Sequence, residues 1–316
     1  MLTRRAAIAA PLLAPAIAHA QFNRPIRLII PFAPGGTSDI LARLMAPGLG
    51  ATLGQPVIVE NRTGAGGRLM VEAVKAARPD GDTLMFVPQG PMTLFPFIYK
   101  ALRFDPFRDF TPIGRVCTLD YALTTGPATP ARTLAEYLAW ARVDANKAAY
   151  GSPGAGTVPH FIGQGLAQKA GVPLTHVPYR GAAPSMADLL GGNLSLVVSP
   201  LPDAIEHHRS GKARVLATSG EQRSDALAGV PTLKEAGVDL VVDGWYGLYA
   251  PAGLAAERQM ALNQALGTAV GSMRDALARG SMRPAPTTPE QLTQIARRES
   301  ALWEQLVKAS GFNPED

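Results

Sequence analysis

Residues 26–30 read Ile-Arg-Leu-Ile-Ile between Pro25 and Pro31, and Gly35 and Gly36 separate them from a run with apolar residues at Ile40, Leu41, Leu44, Met45 and Leu49. A short β-branched run between prolines predicts a buried strand. The near-3.6 spacing predicts a helix over 40–53, with Thr37, Ser38 or Asp39 as its N-cap. A strand that turns through two glycines into a helix leaves main-chain N–H groups unpaired where the helix dipole is positive, and that is an anion seat. The same glycine pair also serves as an ordinary strand-to-helix loop, so the rest of the chain decides between the two.

The alternation continues. Residues 57–60 and 83–87 predict strands and 69–77 a helix, the βαβ pattern of a doubly wound sheet. The Pro-rich tract 90–112 is too long for an ordinary connection and is expected to wrap one lobe before the chain crosses to another. A second alternation starts at Thr133, which with Glu136 forms a capping box. After the glycine-rich residues 151–157 come a helix to 169, strands at 175–177, 194–198 and 213–217, and helices at 184–190 and 201–209. A buried strand region at 241–250 and amphipathic helices at 255–279 and 289–310 are expected to return to the first lobe. The expected division is residues 21–120 with 221–316 as one discontinuous lobe and 121–220 as the other, with a cleft between them where strand-to-helix loops converge. Residues 151–157 repeat the logic of the opening loop, with Thr157 as N-cap and His160 in the first turn. Two helix N-termini, one per lobe, then grip one carboxylate ligand from opposite sides.

Composition narrows the class. Arg4 and Arg5, an apolar stretch over 6–17 and Ala18-His19-Ala20 form an export signal with cleavage after Ala20, by a Sec or a twin-arginine route. The single cysteine, Cys117, forms no intrachain disulfide. Removing Arg4 and Arg5 from 30 basic residues leaves 28 against 25 acidic ones, a net of +3. Without a Lys/Arg block, that excess argues against nucleic acid and mildly favours anionic ligands. His160, His176, His207 and His208 show no metal-ligand spacing, so neither metal nor cofactor is expected. There is no phosphate loop or dinucleotide fingerprint, and Tyr150-Gly151-Ser152-Pro153-Gly154 lacks the first glycine of a nucleophile elbow. A protein without catalytic activity is expected.

The runs 24–39, Val59-Glu60-Asn61-Arg62-Thr63-Gly64-Ala65-Gly66-Gly67, Pro79-Asp80-Gly81, 151–160, His176-Val177-Pro178-Tyr179-Arg180-Gly181, Asp188-Leu189-Leu190-Gly191-Gly192 and Val230-Pro231-Thr232 closely resemble the Bug/TctC family. These are the periplasmic solute-binding receptors of tripartite tricarboxylate transporters, and the likeness covers nearly the whole mature chain in order. The resemblance implies a two-lobed α/β periplasmic binding protein of the Venus-flytrap, type II-like kind, each lobe a sheet flanked by helices. It implies a periplasmic receptor that closes on a small organic carboxylate and serves membrane transporter subunits; a monomer is expected. Matched onto this sequence, the family's ligand loops are Pro34, Gly35, Gly36, Thr37 and Asp39 in one lobe and Ser152, Gly154, Gly156, Thr157 and His160 in the other. Gln89, Tyr179, Ser199 and Asp203 complete the candidate site.

Arg68 and Val198-Ser199 depart from the family pattern, so ligand identity is not carried over. Ser199 stands where many relatives have an acid, and Asp39 is expected to cap its own helix. A carboxylic acid without an amino group is therefore expected to bind better than aspartate or glutamate, with Asp203 the acid to examine. Two other classes compete: an exported α/β enzyme acting on a carboxylate, which needs an acid/base pair or nucleophile in the cleft, and a receptor for a signalling partner.

Overall fold

The computed structural model describes residues 22–143 and 148–310. The export segment read at 1–20, with its cleavage after Ala20, lies outside the described residues. The chain begins with β1 (Ile26–Ile30), α1 (Thr37–Leu53), β2 (Val57–Asn61), α2 (Arg68–Lys75) and β3 (Thr83–Pro88). β1 pairs in parallel with both β2 and β3, the arrangement that crossover helices make possible. Leu41, Met45 and Leu49 of α1 are buried, but Ile40 and Leu44, expected on the same face, are exposed. The inward side is instead completed by the small Ala42 and Ala46, which let the helix lie close. Truncating one of the buried trio to alanine costs about 2–5 kcal/mol.

The Pro-rich tract, entered at Gln89, holds two short helices, α3 (Gln89–Thr93) and α4 (Phe95–Ile98), before β4 (Phe110–Thr125) begins inside it. α5 (Leu134–Val143) opens with half of the expected capping box: the Glu136 N–H donates to Thr133 Oγ1 at 3.2 Å, but Glu136 Oε2 reaches one residue further back and accepts from the Arg132 N–H at 2.7 Å. Then follow β5 (Ala149–Ser152), α6 (Val158–Ala170), β6 (Thr175–Pro178), α7 (Ala182–Leu190), β7 (Leu196–Pro200), α8 (Pro202–Arg209) and β8 (Arg214–Thr218). The chain returns through β9 (Asp243–Pro251), α9 (Ala256–Ser272), α10 (Arg274–Arg279), β10 (Arg283–Pro284) and α11 (Pro289–Ser310). The single helix expected over 255–279 breaks at Met273, just after Gly271 and Ser272, both weak helix formers.

β4 joins everything. Its residues 110–120 pair with β9 at one end of the order β2-β1-β3-β9-β4, and its residues 121–125 pair with β7 and β8, continuing as β4-β7-β5-β6. The strand is 16 residues long, which at roughly 3.3 Å per residue reaches about 50 Å, so one strand serves both lobes. The handover falls between Asp120, opposite Asp243, and Tyr121, opposite Pro200. Ser219 stitches the returning chain to that point. Its N–H donates to the Tyr121 carbonyl (2.9 Å), while its Oγ accepts the Tyr121 N–H (2.9 Å) and donates to the Val242 carbonyl (2.6 Å). The result is the expected two-lobed α/β fold, each sheet flanked by helices.

Candidate functional site

The loop from β1 to α1 places its amides with care. Gly35 has φ +91°, a conformation open to glycine and strained for other residues. The N-cap of α1 is Gly36, not one of the three polar residues expected there, so the cap residue itself offers no side-chain acceptor. Two of the loop's amides are instead bound to carboxylates. The Gly35 N–H donates to Asp39 Oδ2 at 3.0 Å, and the Thr37 N–H donates to Asp203 Oδ1, from the second lobe, at 2.8 Å. Burial alone raises the Asp39 pKa, but bonds from Arg43, Asn61 and the Gly35 amide outweigh it and leave the carboxyl below its ordinary value. Asn61 also donates to the Phe32 carbonyl at 2.9 Å, fixing the loop to β2.

The loop from β5 to α6 is built around two histidines. Gly156, at φ +73°, donates its N–H to His160 Nδ1 at 3.2 Å, so the His160 proton sits on Nε2. His176 Nε2 lies 2.7 Å from Ser152 Oγ, and the two imidazoles stack with centroids 3.9 Å apart. Thr157 Oγ1 donates to the Gly154 carbonyl at 2.7 Å, closing the turn. Burial pushes the His160 pKa down to about 4; burial, with the nearby His160, pushes that of His176 down to about 3. Both rings are neutral at neutral pH.

The lobes touch at several places. The Ala33 N–H donates to the Arg180 carbonyl at 2.9 Å, and the Tyr99 hydroxyl donates to the Ala155 carbonyl at 3.2 Å. A Cβ on Gly66 would stand 2.3 Å from that same carbonyl oxygen. Arg68 stacks its guanidinium 3.8 Å above the Tyr99 ring, a role for a residue at which the sequence departs from its family pattern. Between the lobes lies a cavity of about 30 Å³, walled mainly by apolar groups including Phe32, Leu119, Tyr246, Tyr121, Val158 and Pro200, with Thr157 beside them. Pockets for small molecules run to about 300–1,000 Å³, so the lobes must part to admit one.

The predicted site residues separate into two groups. Gly35, Gly36, Thr37, Asp39 and Asp203 gather at the start of α1, with Pro34 exposed at the rim; Ser152, Gly154, Gly156, Thr157 and His160 gather on the opposing loop. The others are bound elsewhere. The Gln89 side chain donates to the Asp243 carbonyl (3.0 Å) and accepts the Trp245 N–H (3.1 Å), welding the end of β3 to β9. The Tyr179 hydroxyl donates to Asp188 Oδ2 at 2.6 Å within the second lobe. Ser199 is fully buried on β7, with only a long 3.4 Å contact to the Pro200 carbonyl. Sequence reasoning left out His176, Tyr99 and Tyr246. Tyr246 falls in the strand region expected to be buried, and it stacks on Phe86 at 4.9 Å while also walling the cavity. Among the described residues, no group of three or more His, Cys, Asp or Glu is placed to hold a metal ion.

Residues 41–312 match the family model described as tripartite tricarboxylate transporter family receptor. The chain is 38% identical to the UPF0065 protein in the gbd 5' region of Cupriavidus necator, over 90% of this chain and 88% of that protein. It is 30% identical to Protein BugT of Bordetella pertussis, over 94% and 93%. Among solved structures, an R. palustris protein with adipate superposes with a TM-score of 0.88 at 29% identity, covering 93% of this chain and 99% of that one. MatC from Rhodopseudomonas palustris with bound malate gives a TM-score of 0.85 at 28% identity, covering 90% and 99%.

Proposed function

The chain belongs to the tripartite tricarboxylate transporter receptor family, and from that premise we propose that it captures a small organic carboxylate between its lobes for membrane transporter subunits. The lobes are residues 21–120 with 221–316, and 121–220. The mature protein begins after Ala20 and works in the periplasm as a monomer. No described helix is long and apolar enough to cross a membrane, which fits capture and delivery by a protein separate from its transporter.

One observation carries this reading: Thr37 Oγ1 is buried without a hydrogen-bond partner in the first turn of the 17-residue helix α1. A buried hydroxyl left unpaired costs about 1–3 kcal/mol, which a carboxylate seated on the helix N-terminus recovers. Pro34, Gly35, Gly36 and Asp39 shape that seat; Ser152, Gly154, Gly156, Thr157 and His160 shape the wall facing it. Gln89, Tyr179 and Ser199 support the shell behind. Relatives that bind malate and adipate favour a ligand of that size.

The 2.7 Å contact of Ser152 Oγ with His176 Nε2 favours the enzyme reading, but this hydroxyl is fully buried and also bonded to Gly154. It has no open side for a substrate carbonyl. A thermal-shift screen of the mature protein with malate, adipate, succinate, citrate and benzoate tests the proposal. A ligand at a hundredfold excess over its Kd adds about 2.7 kcal/mol of stability. No shift with any acid overturns the receptor reading, and loss of the acid by mass spectrometry replaces it with an enzyme.

A further inference from the structure

The second lobe brings its own carboxylate to the helix that offers the anion seat. Asp203 Oδ1 accepts the Thr37 N–H at 2.8 Å, while Asp203 Oδ2 is shut off from solvent and has no hydrogen-bond partner. The Thr37 hydroxyl lies close enough to lower the Asp203 pKa without reaching hydrogen-bond geometry; burial is the larger effect and pushes it up to about 7. Among the described residues no cation pairs with Asp203, since the guanidinium at the start of α1, Arg43, is bound to Asp39. On β9 the Tyr246 hydroxyl is raised far above its usual range by burial first and by the Asp203 charge second.

Above about pH 7, where Asp203 is mostly ionised, a ligand that offers only carboxylates brings like charge to an acid already on the seat. A ligand that also offers a donor beside its carboxylate satisfies an acceptor that is otherwise buried and unpaired. We propose that Asp203 is the specificity-determining residue of the cleft, selecting 2-hydroxy or 2-amino carboxylates over plain ones through its free Oδ2. This rests on the carboxylate-receptor reading above. It runs against the preference for acids without an amino group expected from sequence, which left Asp203 as the acid to examine.

The test is calorimetry at pH 8 with L-malate and succinate, which differ by one hydroxyl, on the mature protein and on Asp203→Asn. A site built to bond a ligand hydroxyl rejects the analogue without it, so the native protein is expected to prefer malate by about tenfold or more. Asp203→Asn keeps an acceptor for Thr37 but removes the charge and puts a donor in place of Oδ2, and is expected to bring the two acids within about threefold. Asp203→Ser, with its ligand-free melting temperature, serves if the asparagine variant does not fold. Equal binding of the two acids by the native protein, or undiminished discrimination in both variants, overturns the inference. Binding of adipate with neither four-carbon acid also overturns it and leaves the receptor reading standing, whereas failure of all three acids counts against both.

Discussion

The main-chain N–H of Gly156 donates to Nδ1 of His160 at 3.2 Å, so the glycine loop of the second lobe takes its shape from an imidazole. That imidazole stacks on His176, which is bonded to Ser152 at the other end of the loop. The loop is thus held at two points by a pair of neutral rings.

Removing one acceptor while keeping its position separates geometry from bulk. His160→Asn places an oxygen near the Nδ1 position and is expected to keep carboxylate affinity within about threefold, whereas His160→Leu leaves the Gly156 amide unpaired and is expected to lose about tenfold. Titration calorimetry with the tightest acid of the screen compares them. Equal affinities for both variants would show that the bond to Gly156 does not shape the loop.

Acid should weaken the fold through the same pair. Both histidines have folded pKa values below the unfolded value of about 6.5, so the unfolded chain binds more protons and stability falls as pH drops from about 7 toward the folded values near 4 and 3. The melting temperature is expected to fall over that window, and less steeply in a His160→Asn, His176→Gln double variant. Parallel profiles would contradict the assignment of neutral rings.

Closure depends on a glycine. A Cβ at Gly66 would meet the Ala155 oxygen across the cleft at 2.3 Å, and the residue has φ +63°. Gly66→Ala is therefore expected to cost about 1 kcal/mol in the fold and, by obstructing closure, to weaken ligand binding by about tenfold. Solution scattering of the liganded variant should show a more extended particle than the native complex. A particle as compact as the native one would refute the steric claim.

At the lobe handover Asp120, 2% exposed, accepts from both terminal nitrogens of Arg283, at 3.0 and 3.4 Å. Arg283→Met strands that carboxylate and is expected to lower the unfolding free energy by about 1–3 kcal/mol, with part recovered by adding Asp120→Asn. Denaturant unfolding measures both. No loss in the single variant would mean that solvent already serves Asp120.

The start of the fold was legible because the apolar period changes abruptly at Gly35 and Gly36, and α11 because Pro289 and a sustained helical pattern mark it. β4 was not. Its second half is buried on both faces and its first half is broken by Pro112 and Gly114, where the register shifts, so no alternation survives to be read. His176 and Ser152 meet only through the lateral pairing of β6 with β5, which local pattern does not encode. The Asp203 bond to Thr37 spans 166 positions; the acid was visible in the sequence, but its partner and its free oxygen were not.

The most direct measurement is a crystal structure of residues 21–316 grown with the tightest acid of the screen. The expected result is one carboxylate bonded to the first turn of α1 at Thr37 and facing the residue 152–157 loop, with both lobes in contact with the ligand. A ligand bound outside the cleft, or held by one lobe alone in a closed molecule, would contradict the proposed capture between two helix N-termini.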